Sequence, residues 1–380
     1  MAATVRALYD DNITTSPDGS KEGSFGISVS PSVHLNLPLD QTFISLGYVY
    51  SLIWYENREP NHNDQSHEFN GKLTHRFGPQ HDISVFDSFV FSSEPTVVDQ
   101  GGIITSPLKS DSSVIHNQGG IDYNVGVSRQ MSLGFGYGNN FYDYEEEGAG
   151  SRSALLDRIE QLFRVDLRNT FTPNLVGLVG YTFGLNAYTA DELIAIGSPL
   201  KSDSRDSYNH YGYVGADYDL TARLRSSIRV GIQYADFHEV GETDLSPYLD
   251  AKVSYVYMTG SSVEVGVRHA RNATDVVAVD AQGNPTLDAQ TTAVWLQVVQ
   301  QITPKFTGTA MVQYQNSTFF GGANDGSSED LWLLGLNLEY RFNRNWSAEA
   351  GYNFDVLDSE AGSTRQYNRN RVYVGLRATY

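Results

Sequence analysis

Arginines recur at even spacing along one segment of the chain and again along a later one. Arg158, Arg164 and Arg168 form the first group, and Arg225 and Arg229 form the second. Residues an even number apart on a β-strand share one face. These guanidinium groups exceed the acids near them in sequence, and a surplus of positive charge attracts anions. We therefore expect a mild anion preference in any space that this face encloses.

Other segments also alternate between apolar and polar residues, and further charged residues occupy their polar face. They are Lys72, Arg76, Arg268, Arg371, Arg377, Glu264, Glu339 and Glu349. Rings of charge along a pore can orient water and solutes. Opposite charges on adjacent strands also pair routinely, for about 0.2 to 1 kcal/mol each. We expect pairing for most of them, so that the polar wall is nearly balanced and the loops carry most of the net charge of −19.

The segments that carry these residues alternate with period two, which is typical of strands. Ile44, Leu46, Tyr48 and their even-numbered successors to Trp54 are apolar, and Trp332 to Phe342 repeats the pattern with Glu339 on its second face. The predicted strands run roughly 10 to 16 residues, whereas globular strands average about 5 or 6 and a bilayer crossing needs about 9 to 11. This length favours a membrane-spanning β-barrel with its apolar face outward.

The connections alternate between tight turns and longer polar loops, which is the asymmetry of outer-membrane barrels. Examples of the two kinds are 172–174 and 191–207. Counting segments predicts one all-β antiparallel barrel over residues 1–380, with about eighteen strands (16 to 20) and both termini periplasmic. Barrels of about 16 to 18 strands leave an aqueous channel unless something plugs it. Aromatic residues gather near both strand ends, as the two membrane interfaces favour.

Composition excludes several other classes of protein. The chain has no cysteine, so it holds no disulfide framework and no thiol nucleophile. Its acidic balance, with a pI near 4.7, argues against a nucleic-acid partner. A mean hydropathy of −0.35 and the lack of long apolar runs argue against membrane-spanning helices. No apolar signal segment precedes the first strand, and we expect that one has been removed.

Short motifs resemble those of a known family. The run Leu8 to Ile13, Pro31 in a second strand, and the strand pair around Tyr48 and Trp54 resemble the outer-membrane family of putative β-barrel porins (type 2). The resemblance extends loosely over the whole chain. It implies a porin-like barrel and carries no catalytic residues. The last strand, which ends in Tyr380, looks like the signal that the bacterial barrel-assembly machinery recognises.

A seven-residue sequence occurs twice in the long loops. Ser106–Ser112 recurs identically as Ser198–Ser204, with a looser echo at 284–287. These loops could fold into the mouth as a constriction or contact neighbouring subunits, or they could be an undiverged duplication. The constriction candidates are Ile103, Ile104, Pro107, Leu108, Lys109, Ile194, Ile196, Pro199, Leu200 and Lys201.

Acidic and histidine-containing loop segments suggest two further chemistries. Glu145, Glu146 and Glu147 could bind Ca²⁺ or bridge to lipopolysaccharide through it, although a solvated acidic rim is the simpler interpretation. His210 near Ser207 and Asp206 is the nearest approach to a nucleophile and base, and we expect a coincidence rather than a catalytic set. We therefore expect no catalytic residues and no cofactor.

Three functional hypotheses follow. The leading one is passive diffusion of small polar or anionic solutes through the outer membrane. The alternative is a plugged structural or receptor barrel that binds partner proteins, and the least favoured is an outer-membrane enzyme. Homo-oligomers are compatible with any of these.

One residue departs from the alternating pattern of the predicted strands. Asp87 falls on the outward face at mid-strand, where we expect a bulge or a subunit contact.

Overall fold

The computed structural model describes residues 1–93, 97–98, 104–106, 113–145, 153–194 and 199–380. Within them lie twenty strands and three short 3₁₀ helices. The strands are β1 (Ala2–Asp10), β2 (Ser24–Pro38), β3 (Thr42–Tyr55), β4 (Asn63–Gly78), β5 (His81–Ser92), β6 (Val97–Val98), β7 (Ile104–Ser106), β8 (Val114–Gly126), β9 (Met131–Tyr144), β10 (Arg158–Thr172), β11 (Leu175–Tyr188), β12 (Ser207–Thr221), β13 (Leu224–Phe237), β14 (Glu242–Met258), β15 (Ser261–Asn272), β16 (Asp288–Thr303), β17 (Phe306–Phe320), β18 (Ser328–Arg341), β19 (Trp346–Ser359) and β20 (Tyr367–Thr379). The helices are η1 (Ala154–Leu156), η2 (Ser202–Arg205) and η3 (Gly322–Asn324).

Eighteen of the strands form one closed antiparallel sheet. Each strand pairs with its neighbours in sequence, and β5 pairs with β8 past the small β6–β7 hairpin. The sheet closes where β1 pairs with β20, from Ala2 beside Thr379 to Asp10 beside Arg371. The Tyr380 amide adds a hydrogen bond to the Met1 carbonyl at 2.9 Å. The predicted barrel and its strand number are confirmed.

Strand registers assign every side chain to one of two faces. The outer face is apolar and exposed, with Val374 61% and Val179 59% accessible. The inner face collects the charged residues, as where Arg6 lies beside Ser28 and Gly375. This follows from the fixed side-chain period of two along a strand. None of the described helices is long and apolar enough to span a membrane.

The barrel has a turn end, where tight connections such as 173–174 and 304–305 lie, and a loop end, where the long connections lie. The strict alternation of loop lengths predicted from sequence is wrong at one place. Residues 238–241, at the loop end, form a tight turn between β13 and β14. There Gly241 adopts a φ of +72°, and its amide donates to the Phe237 carbonyl at 2.9 Å.

Exposed aromatic residues lie on the outer face at both ends of the barrel. Phe171 at the turn end is 65% exposed, and Trp332 towards the loop end is 49% exposed. The loop-end residues Phe237 and Phe319 do not follow the predicted outer band of aromatic residues, because they are 2% and 1% exposed. Their positions in β13 and β17 turn them inward, where loop residues cover them.

Candidate channel lumen and mouth

Strand registers place the sequence-predicted charged residues on the inner face of the barrel. For example, Arg168 pairs with Ser132 and Leu178, and Arg229 pairs with Gly215 and Asp250. The inward set is Lys72, Arg76, Arg158, Arg164, Arg168, Arg225, Arg229, Arg268, Arg371, Arg377, Glu264, Glu339 and Glu349.

The expected surplus of guanidinium groups over acids is not present. Each of the five clustered arginines contacts a carboxylate, and Arg168 and Arg229 share Asp217. The pairs are Arg158–Glu160 (2.7 Å), Arg164–Asp122, Arg164–Asp166 (3.5 Å), Arg168–Asp217, Arg229–Asp217 (2.7 Å) and Arg225–Asp219 (3.6 Å). Some partners lie on strands that are distant in sequence, so counting neighbours along the chain missed them.

A cavity of about 510 Å³ lies against the inner wall formed by β8 to β15. Its lining combines these ion pairs with tyrosines. The Tyr213 hydroxyl donates to Asp166 at 2.7 Å, and the rings of Tyr211 and Tyr248 meet edge to face at 5.5 Å. Hydroxyls, guanidinium groups and carboxylates offer both donors and acceptors. The wall can therefore replace part of the hydration shell of a polar solute.

Above this cavity, arginines buried at the loop end tie the loops together. Arg205, at the end of η2, has no accessible surface. Its guanidinium donates to the carbonyl oxygens of Leu155 and Thr274 (3.3 Å), and it stacks on the Tyr188 ring at 4.0 Å. One side chain thus joins the β9–β10, β11–β12 and β15–β16 loops.

A second buried arginine links the β15–β16 loop to β18 and to the β19–β20 loop. Arg365, in the β19–β20 loop, is 2% exposed. It contacts Asp275 at 3.0 Å and Glu329, on β18, at 2.9 Å. Both carboxylates are also nearly inaccessible, at 9% and 7% of their side chains. Burial lowers the pKa of Arg365, but these two charges outweigh it and the pKa is raised overall.

Apolar contacts fold the β15–β16 loop, residues 273–287, against the inner wall. Val276 packs against Ala289 and Phe319, and Leu287 packs against Ala235 and Phe237. The tight 238–241 turn adds Val240 to the second contact. The loop with the looser sequence echo is thus packed against the inner wall.

Described residues of the second copy pair with residues 193–194, which precede it in the chain, at the loop end. The Ile194 amide donates to the Leu200 carbonyl at 2.9 Å, and the Ile194 side chain is buried. Pro199 and Lys201 are exposed, and Lys201 pairs with Asp191 at 3.0 Å. Ile196 and the first-copy candidates Ile103, Pro107, Leu108 and Lys109 lie outside the described residues, and Ile104 is described only as part of β7.

A half-buried carboxyl group lies where the β9–β10 loop enters the wall. Asp157 accepts a hydrogen bond from the Tyr144 amide at 2.8 Å. Its pKa is raised from 3.8 to about 7, mainly by burial and to a smaller extent by Asp143 and Glu192 nearby, which together outweigh the lowering effect of that hydrogen bond. The group therefore changes charge near neutral pH.

The proposed histidine set does not assemble. His210 faces outward on β12 and its Nδ1 lies 2.7 Å from the Tyr181 hydroxyl, whereas Ser207 faces inward and is 2% exposed. The two residues are an odd number of positions apart on the strand, so their side chains point to opposite faces. Among the described residues, no group of three acidic or histidine side chains could hold a metal ion. Glu145 is exposed, and Glu146 and Glu147 lie outside the described residues.

Sequence reasoning missed the buried arginines of the mouth. Arg205, Arg271, Arg365 and Arg369 have at most 5% exposure, and none was a candidate. Arg271 bonds Asp288 at 2.7 Å, and Arg369 bonds Asp10 at 2.9 Å. The sequence signal that could have identified these residues is an arginine near a carboxylate at a strand end. Many exposed surface pairs share that pattern, so it does not by itself predict burial.

A closed antiparallel barrel with an apolar outer face, a charged inner wall and loops at one end defines a bacterial outer-membrane β-barrel. The chain belongs to the family described as "Putative beta-barrel porin 2", whose model matches residues 2–380. The family expected from the motifs is thereby confirmed. Comparison with curated proteins gives no match.

Solved structures similar to this chain include three iron-uptake proteins. The siderophore receptor PirA from Acinetobacter baumannii has a TM-score of 0.47 and 11% identity, over 100% of this chain and 80% of that one. The FrpB iron transporter from Neisseria meningitidis has a TM-score of 0.47 and 10% identity, over 94% and 63%. A ferric enterobactin receptor (PfeA) mutant from Pseudomonas aeruginosa has a TM-score of 0.44 and 9% identity, over 100% and 80%.

Proposed function

We propose that this protein is a porin-like channel for passive diffusion of small polar solutes across the outer membrane, with both termini periplasmic. The observation that carries the proposal is the charged inner wall around the cavity of about 510 Å³. Paired charges and tyrosine hydroxyls favour water and polar solutes over apolar ones. The C-terminal strand would be the part that the barrel-assembly machinery recognises.

Charge pairing supports weak rather than strong ion selectivity. The five clustered arginines contact five carboxylates, and the one local imbalance among these pairs is at Asp217, where one acid contacts both Arg168 and Arg229. The structure therefore supports transport of neutral, cationic and anionic polar solutes, with a small anion preference where two arginines share one acid.

Planar-bilayer recording of the purified barrel tests this proposal. We expect stepwise conductance and a small reversal potential in a salt gradient. Asp217→Asn should shift the reversal potential towards anions, because it leaves two guanidinium groups without their shared acid. Asp330→Asn is the matched control, since Asp330 makes the same charge change on the outer face, where it accepts from Tyr314. Strong cation selectivity of the wild type would contradict the proposal.

The inward-folded 273–287 loop supports a second candidate, a plugged barrel that serves as a receptor. Its apolar contacts with β13, β16 and β17 and the Arg365 link to β18 hold it inward against one side of the mouth. This function predicts no conductance from the wild type. It also predicts that conductance appears only when the loop is released.

A further inference from the structure

A recess lies at the turn end of the barrel, where β18, β19 and β20 meet the tight turns. Its volume is about 540 Å³, and the β16–β17 and β18–β19 turns form its rim. The inner-face residues that line it include Arg341, Ser347 and Arg377. The recess therefore opens towards the lumen, and it shares no lining residue with the cavity against β8 to β15.

The lining of this recess carries four cations and one acid. The cations are Lys305, Arg341, Arg344 and Arg377. The acid, Glu339, accepts from Arg341 Nε at 3.2 Å, and within the described part of the chain no carboxylate pairs with any of the other three cations. The neighbouring acid on β19, Glu349, contacts Arg6 instead. The recess thus holds a surplus of positive charge in a chain whose net charge is −19.

Two of the arginines flank a short side chain. Ser347 on β19 pairs with Arg341 on β18 and with Arg377 on β20. The three residues share the inner face, because directly paired residues point to the same side of a sheet. The Cα atoms of the two arginines are two strand spacings apart, about 10 Å. Both guanidinium groups can therefore reach one small anion between them, and Ser347 adds a hydroxyl.

Hydrogen bonds fix the rim of the recess. Asn343 Oδ1 accepts from the Asn345 amide at 2.8 Å, which closes the β18–β19 turn. Asn345 Nδ2 donates to the Thr379 carbonyl at 2.8 Å and ties this turn to β20. Lys305 Nζ donates to the Phe342 carbonyl at 3.3 Å, so the β16–β17 turn is joined to it as well. The backbone that carries the cations is ordered before a ligand arrives.

We propose that this recess binds a small oxyanion, namely the phosphate or carboxylate group of a water-soluble solute. A guanidinium group presents its donors in a planar fork that matches the oxygens of such groups. Rings of Arg and Lys in pores select anions in the same way. The inference deepens the proposed function, and it rests on that function for the route by which the solute reaches the turn end of the lumen.

The position of the cations identifies a solute rather than a lipid headgroup as the ligand. Arg341 and Arg377 lie on the inner face, on the side of the sheet away from the bilayer. Trp346, the neighbour of Ser347 on β19, points outward and is 51% exposed. An aromatic side chain therefore stands between the recess and the acyl chains. The volume of about 540 Å³ also falls in the range of small-molecule sites, about 300 to 1,000 Å³.

Equilibrium binding of inorganic phosphate tests the site. Titration calorimetry of the purified barrel, in a neutral detergent at low ionic strength where screening is weak, should show one site per barrel. The double variant Arg341→Gln and Arg377→Gln should bind phosphate roughly tenfold more weakly or worse, because charge-assisted hydrogen bonds are the strong ones. The matched control is Arg76→Gln with Arg225→Gln, which removes two charges from the inner face at the same end but outside the recess. Its affinity should stay close to that of the wild type.

Four results would overturn the proposal. They are no phosphate binding by the wild type, an equal loss in both double variants, an unchanged affinity after Arg341→Gln and Arg377→Gln, and displacement of phosphate by an equal concentration of short-chain phosphatidylglycerol, which would assign the recess to lipid. Calorimetry needs no conductance. A barrel that binds phosphate but does not conduct would therefore refute the proposed channel and leave the oxyanion site in place.

Discussion

Replacing Arg365 with methionine is the sharpest test of the loop closure at the mouth. The substitution keeps most of the aliphatic volume and removes the charge that links Asp275 to Glu329. Both acids stay in place, nearly inaccessible to water and close to each other. The closed arrangement then contains two buried carboxylates without their cation.

The expected magnitude follows from the burial of all three groups. Removing one partner of a buried ion pair costs about 3 to 5 kcal/mol. Because the loop is anchored to a sheet of eighteen strands, this cost falls on the closed loop rather than on the barrel. With about 1.4 kcal/mol per tenfold change, the closed-to-open ratio should fall by a factor of roughly 100 to 4000.

Single-channel recording and limited proteolysis measure this release. Arg365→Met should raise the mean conductance or add long-lived open levels, and it should make residues 273–287 sensitive to protease. Lowering the pH should partly reverse both effects, because burial favours the neutral form of a carboxyl group that has no cation beside it. The heat-modified mobility of the barrel should not change.

Arg225→Met is the matched control. Arg225 also pairs with an acid, Asp219, but at 3.6 Å and with side chains 73% and 61% exposed. An exposed pair of this kind contributes about 0 to 1 kcal/mol, so the loop should stay closed. Wild-type conductance and protease resistance in Arg365→Met would refute the assignment of Arg365 as the residue that holds the loop.

Three other predictions follow from the same structure. Asp157 binds its proton more tightly in the folded loop, so the loop loses stability as pH rises from about 4 to about 7. Hydrogen exchange of the Tyr144 amide, corrected for its intrinsic rate, should therefore be slower at pH 5 than at pH 8. The Asp157→Asn variant should abolish this difference. Val230→Arg puts a charge on the lipid face and should lower the free energy of unfolding by about 2 to 4 kcal/mol. The control, Ser227→Arg, puts the same charge on the inner face and should be tolerated. Equal urea midpoints for the unfolding of the two variants would contradict the assigned faces. Leu287→Ala empties a buried contact worth about 2 to 5 kcal/mol and should loosen the mouth, which a conductance identical to wild type would disprove.

Side-chain parity allowed the sequence to predict the barrel and its two faces. A strand has a side-chain period of two, so Glu339 had to lie opposite Leu338 whatever the rest of the chain did. The same rule placed Asp87 outward, and the register of β5 with β8 agrees. Strand number and closure followed because each strand pairs with its neighbour in sequence.

Only the tertiary structure decided which charges meet and what covers the lumen. Asp217 on β12 contacts both Arg168 on β10 and Arg229 on β13, because the strand registers bring the three residues to the same height in the wall. A register shift of two residues would separate them, although each would still lie on the inner face. Arg365 meets Asp275 across ninety positions of sequence because two loops fold inward over the same opening. Loop paths depend on packing against residues such as Phe237 and Phe319, and no local periodicity encodes such contacts. The sequence therefore determined a barrel with a polar interior, and the fold decided how far its mouth is closed.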